Sequence, residues 1–417
     1  MIEDLRPVIR GPVIPFSTSN RMQRINLFDP AVRDNPFPTY AQMRTESPVA
    51  MLDPGGMFAL TRHADVVAAF RDTQTYSSEG FRAVFAPPWL GSNPTAESML
   101  LMDPPAHTQN RALVSRAFIK PVMQQLERVI EEITNERLSA ANIVAGEEFD
   151  VVAELAMPLA GGVITHALAL PRELAPRMQT WTSAISKVTP VPPEPEVIAE
   201  IKASIAEQAE YLGAVVDARM NEPGDDLPSA LCRAEIDGQR LSRDALIGFM
   251  FLLVGAGFET TIHLISKSAK LLAERPDVHD ALREDPSKVG AFVEEMLRFD
   301  GPTHVLMRLT TRDVELHGVQ IPAHSGVALV IGAANHDPDQ FEAPERFDLD
   351  RQTKGALAFG HGPHVCIGAA LARLEASICI RELITRFQRV ELGPGPRDWN
   401  YALHVRGLNR LPVRFQR

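Results

Sequence analysis

Cys366 stands in the run FGHGPHVCIG, Phe359 to Gly368, just ahead of a helical pattern. A cysteine presented by a glycine-rich turn at a helix start is suited to act as a thiolate ligand. Gly360, Gly362 and Gly368 let the backbone take positive φ and approach a flat partner closely. Turn N–H groups and the helix N-terminus favour the anion, which predicts a lowered thiol pKa. The spacing F-x-x-G-x-x-x-C-x-G arises rarely from this composition. Cys232 and Cys379 lack such surroundings and read as small buried hydrophobes.

Three further groups carry polar chemistry. Gly255-Ala256-Gly257-Phe258-Glu259-Thr260-Thr261 places an acid and two hydroxyls inside an apolar helical run. Such groups are costly to bury without hydrogen bonds, and a threonine there can bond back to a carbonyl one turn earlier. The small residues leave room for a ligand against the backbone, although ordinary helix packing explains them too. Glu295 and Arg298 form E-x-x-R on one helix face, a spacing equally common in surface ion pairs, and Arg346 follows in PERF. His107 and Arg111, one turn apart, suit an anionic partner or a solvated face. Arg308 and His364 are single basic residues, uninformative by themselves.

The elements that must position these groups are mostly helices. Helical patterns cover Pro105–Phe118, Val122–Ala145, Val151–Leu168, Arg172–Val188, Glu196–Asn221, Ser242–Glu274, Ser287–Phe299 and Cys366–Phe387. Strands are expected at Val49–Leu52 and Met57–Thr61 around the Pro54-Gly55-Gly56 turn, at Met307–Leu316 and Val327–Ile331, and near Val390 and Val413. Residues 1–30 read as an arm, Ser77 to Thr95 as a long irregular loop, and Asn335 to Lys354 as a poorly periodic stretch. TPVPPEPE, between Thr189 and Glu196, is a connector no helix can cross. With no internal repeat or linker break, residues 1–417 read as one domain, mainly α with a minor β part.

The chain is 45% hydrophobic, enough for a large core, and its net charge of −11 argues against nucleic-acid or anionic-membrane partners. Three widely spaced cysteines make no disulfide framework and point to a reducing cytoplasm. The N-terminal run lacks the apolar segment of a signal peptide or anchor. Ala245 to Phe258, fourteen residues, is too short to span a bilayer and reads as a buried central helix.

Taken in order, HxxxR, AGxET, ExxR, PERF and FxxGxxxCxG resemble the cytochrome P-450 family of heme-thiolate monooxygenases, in its soluble bacterial form. The resemblance runs from Phe58 to Val413. It implies the cytochrome P-450 fold, with heme b held between a long central helix and the cysteine loop. By similarity Cys366 is the axial iron ligand, whose electron donation promotes O–O cleavage. Phe359, Gly368 and Ala256 pack at the heme, and His107, Arg111, Arg308 and His364 hold its propionates. Glu295, Arg298 and Arg346 match the family's structural triad. Glu259 and Thr260 match its distal acid–alcohol pair, which brings protons to bound O2. His336 stands where many relatives have arginine, a departure that touches the supporting network.

The resemblance also places substrate walls at Phe81, Phe85, Trp89, Trp181, Ile185, Phe251, Val254, Val305, Leu306, His404 and Val405, with Ala256 among them. This lining suits a hydrophobic small molecule, into which one oxygen atom from O2 is inserted by hydroxylation or epoxidation. His304, His404 and Arg82 are candidate polar handles. No nucleotide-binding fingerprint occurs, so NAD(P)H acts only through a separate ferredoxin and ferredoxin reductase. Arg111, Arg116, Lys120 and Arg373 form a candidate dock for an acidic ferredoxin. A monomer is expected. A peroxide-driven peroxygenase and a non-catalytic heme-binding protein are the alternatives, both disfavoured by the Glu259–Thr260 pair.

Overall fold

In the computed structural model, which describes residues 22–118, 120–139 and 147–416, the central apolar run forms a 32-residue helix, Arg243–Glu274. Ser242 caps it by accepting from the Ala245 N–H at 3.2 Å. Among the described helices it alone is long and apolar enough to cross a membrane, yet 56% of its apolar window is buried in the protein. It crosses helices Met157–Ala167, Arg177–Ser186, Pro195–Asn221 and Ala369–Arg386, which cover the faces of a core helix.

Near its C-terminal end this helix is pinned by charge. Lys267 is fully buried, donates to the carbonyls of Gly301 (3.0 Å) and Arg406 (3.1 Å), and pairs with Asp300 at 2.7 Å. Burial pushes its ammonium down to about 7, against the pull of Asp300. Arg406 pairs with the same carboxylate at 3.0 Å. The central helix is thereby fixed to the C-terminal segment that reaches over the site.

The largest of the five sheets among the described residues has six strands, in the order Arg24–Ile25, Val49–Leu52, Met57–Leu60, Gly326–Leu329, Leu306–Thr310, Tyr76–Ser77. Val49–Leu52 and Met57–Leu60 pair antiparallel across the Pro-Gly-Gly turn, as expected, while Gly326–Leu329 lies parallel to Met57–Leu60. Arg308 pairs with Val327 in this sheet, so its side chain starts from a rigid strand.

Several boundaries differ from the sequence reading. The last helix begins at Ala369, leaving Cys366 in the turn before it. Val151–Leu168 opens with a π-helical segment, Val151–Ala156. Ser77 to Thr95 is broken into short helical turns, Glu79–Phe81 and Arg82–Phe85, with Pro94–Glu97 overlapping its end. The expected strand Met307–Leu316 is split at Thr311–Asp313. Most of the N-terminal arm and the end of Val122–Ala145 lie outside the described residues, but Arg24–Ile25 joins the sheet. Helices Leu227–Arg233 and Pro276–Glu284 had no strong signal, being only seven and nine residues long.

Candidate active site

The cysteine loop is shaped by its glycines. Gly360 and Gly362 sit at φ +73 and +70, where L side chains are strained, and a Cβ on Gly362 would meet the Phe70 carbonyl oxygen at 2.7 Å. The Cys366 N–H donates to the Phe359 carbonyl at 2.9 Å, closing the loop. Burial pushes the Cys366 thiol up, while the Gly368 N–H, Arg111, Arg373 and the Ala369 N–H pull it down. The direction is opposite to the turn-based expectation because desolvation outweighs the local dipoles. Cys366 is nonetheless exposed, as is Ala256 in the middle of the central helix. Both therefore border space inside the fold.

Arg308 is 93% sheltered from solvent by residue area, yet among the described residues its side chain hydrogen-bonds only the Met307 carbonyl, at 2.8 Å. Burial pushes its guanidinium down to about 10. The His107 and His364 ring centroids lie 3.9 Å apart with the planes tilted by 35°, and His107 Nδ1 and His364 Nε2 are buried without partners among the described residues. Burial, then His107 and Arg308, push the His364 imidazole down to about 3, with Arg111 also nearby. Orphaned buried donors of this kind call for an anionic acceptor. The four residues fit the two propionates of a heme, with Cys366 as its iron ligand.

On the central helix, the Thr260 hydroxyl donates to the Ala256 carbonyl at 2.6 Å, the back-bond expected for a threonine inside a helix. Glu259 accepts from Asn400 Nδ2 at 3.3 Å and lies 3.5 Å from His263 Nε2. Burial pushes the Glu259 carboxyl up, but His263, His404 and Asn400 together hold it below its usual range. His263 was visible in sequence only as a polar residue four positions on. Asn400 gave no signal, since nothing in its spacing points to a helix 140 residues earlier.

Glu295 and Arg298 are fully buried and bonded at 2.7 and 2.8 Å. The third member of the triad is Arg351, whose Nε donates to Glu295 at 3.0 Å. This corrects the assignment of Arg346: its side chain is exposed, and only its carbonyl takes part, accepting from Arg298 and Arg351. His336 packs between the rings of Phe37 (4.5 Å) and Phe299 (5.6 Å) beside this network.

The expected substrate walls divide. Phe81, Phe85 and Val305 share one apolar cluster with Ala96, Leu101 and Leu403. Leu306 belongs to the neighbouring one, and Trp89, Ile185, Phe251 and Val254 to the main core. Thr303 bridges to Val405, and the His304 N–H donates to the His404 carbonyl, so those two segments do meet. Trp181, Phe251, Val254 and Val305 have no exposed surface and pack behind the wall rather than forming it. Trp181 in particular donates to Glu207 at 3.0 Å, between two helices. His304 is taken by Tyr40 (3.0 Å) and Asp300 (3.3 Å), and Arg82 pairs with Glu97. In the expected dock, Arg373 is committed to Glu294 and lies over the Phe359 ring at 4.5 Å, and Arg116 donates to the Glu235 carbonyl.

The cytochrome P-450 family model matches residues 195–400. The chain is 37% identical over 410 residues to cytochrome P-450 107B1 of Saccharopolyspora erythraea, covering 95% of this chain and 99% of that protein. It is 36% identical over 404 residues to the vitamin D(3) 25-hydroxylase of Pseudonocardia autotrophica, covering 95% and 98%. The solved structure of cytochrome P-450 CYP109Q5 from Chondromyces apiculatus matches with a TM-score of 0.86 at 32% identity, over 95% of this chain and 99% of that one. The chain belongs to the cytochrome P-450 family. It is a monooxygenase that uses heme b and O2, with electrons supplied through separate redox partners.

Proposed function

We propose that this chain inserts one oxygen atom from O2 into a hydrophobic small organic molecule, with electrons from a ferredoxin and its reductase, as a monomer in the cytoplasm. The observation that carries this reading is the adjacency of Glu259 and Thr260 on the central helix, beside exposed Ala256. When bound, the heme supplies O2 activation. Cys366 ligates it, and His107, Arg111, Arg308 and His364 hold its carboxylates.

Glu259 serves as the proton relay that this chemistry needs, its carboxylate taking a proton from solvent and passing it on, and Thr260 orients the proton path with its hydroxyl. The alternative peroxide-driven reaction needs no such pair. Substrate meets the Phe81–Phe85 cluster, an apolar surface suited to a bulky hydrophobic molecule. A relative named for action on vitamin D(3) supports that class.

A spectral screen of hydrophobic compounds tests the reading: a substrate is expected to shift the ferric heme towards high spin. With ferredoxin, reductase and NADH, isotopically heavy O2 is then expected to label the product. Equal turnover on peroxide alone, with no ferredoxin-dependent product, would refute it.

A further inference from the structure

We propose that Asn400 is a positioning residue for Glu259: seated by Arg33 and Gly407, it turns its amide N–H groups onto Glu259 and His263 and holds the acid in place as a carboxylate. This rests on the reading of Glu259 as the proton relay. The orientation of the amide is fixed by its other contacts. Asn400 Oδ1 accepts from Arg33 Nη2 at 2.6 Å and from the Gly407 N–H at 3.1 Å. Both are donors only, so Nδ2 must be the atom facing Glu259 Oε1 at 3.3 Å and His263 Nε2 at 3.4 Å.

The seat is itself rigid. The Asn400 carbonyl accepts from Arg33 Nε and Nη2 at 3.0 and 2.6 Å, and its N–H donates to the Gly407 carbonyl at 2.9 Å. A Cβ on Gly407 would stand 1.9 Å from His263 Cγ, so the imidazole lies directly against this backbone and only glycine fits. Glu259 thus faces two neighbours at similar reach, Asn400 Nδ2 at 3.3 Å and His263 Nε2 at 3.5 Å, and only Asn400 has two N–H groups to share between the acid and the imidazole.

The charged and titratable groups facing the cluster are His263 and Lys267 on the central helix, His404 on the C-terminal segment, and Arg33 on the helix Pro30–Asp34. Burial pushes His263 down against the pull of Glu259. Asn400 thus joins the Arg33 cation to the Glu259 anion through a group that does not titrate. A donor that is neither acid nor base keeps the carboxylate in one place whichever protonation state its neighbours take.

Asn400→Asp tests this in the holoenzyme, because it preserves the Oδ1 acceptor for Arg33 and Gly407 and sets a second carboxylate oxygen against Glu259. Infrared difference spectra across a pH titration isolate Glu259 as the carboxyl band lost in Glu259→Gln. In Asn400→Asp that midpoint is expected to rise by about one to three pH units. Asn400→Ser, which removes the N–H donor without adding charge, is expected to move it the same way by less. Product formed per NADH is expected to fall severalfold in both, with heme content retained. A wild-type midpoint and wild-type coupling in both variants, while Glu259→Gln uncouples, overturns the role of Asn400. Full coupling in Glu259→Gln would instead overturn the reading of Glu259 itself.

Discussion

Glu295→Ala is expected to cost about 3–5 kcal/mol of stability and to yield protein that loses heme or fails to fold. The carboxylate is fully buried and takes bonds from Arg298, from Arg351 Nε and from the Asp348 N–H at 3.1 Å. Deleting it leaves two guanidiniums in the core with no anion, which costs more than the pair contributes. Arg298 also donates to the carbonyls of Asn335 (2.9 Å) and Pro344 (3.0 Å), so the damage spreads into the segment leading to the cysteine loop. Arg346→Ala is the matched comparison. Its side chain is exposed and its carbonyl survives the substitution, so the change is expected within about 0.5 kcal/mol. Urea unfolding and heme content of the two variants decide the matter. A Glu295→Ala protein with normal stability, or an Arg346→Ala protein as damaged as Glu295→Ala, would contradict this arrangement.

Thr260→Ala is expected to retain heme and substrate binding while diverting NADH-derived electrons to hydrogen peroxide. Alanine is the better helix former, so the fold does not suffer. What disappears is the hydroxyl beside Glu259, now bonded to Ala256. One hydrogen bond of about 1.5 kcal/mol corresponds to roughly a tenfold change in partition between product and peroxide. Product and peroxide counted per NADH give that ratio, and unchanged coupling would remove Thr260 from the proton path.

The sequence revealed some parts of this molecule far better than others, for physical reasons. Local rules carried the cysteine loop, where positive-φ glycines are written into the chain, and the central helix, where apolar periodicity is long. They also carried the Val49–Leu52 hairpin through its Pro-Gly-Gly turn. Partner choice across space was not legible. PERF and Arg351 lie in one irregular stretch, and no spacing rule says which arginine reaches Glu295. Asn400 contacts Glu259 only because Arg33, Gly407 and the buried Lys267–Asp300–Arg406 cluster bring three distant segments together. Trp181 shows the reverse case: the resemblance placed it in a substrate wall, but its indole N–H bonds Glu207 and the ring sits in the helix interface. At Cys366 the turn dipoles are visible in sequence, and the opposing desolvation is not.

Cys366 as the iron ligand is tested most directly by resonance Raman spectroscopy of the ferric, heme-loaded protein. An iron–sulfur stretch that shifts on labelling with heavy-sulfur cysteine, and that vanishes in Cys366→Ser, is the expected result. Its absence from the wild type, or its persistence in Cys366→Ser, would place the ligand elsewhere.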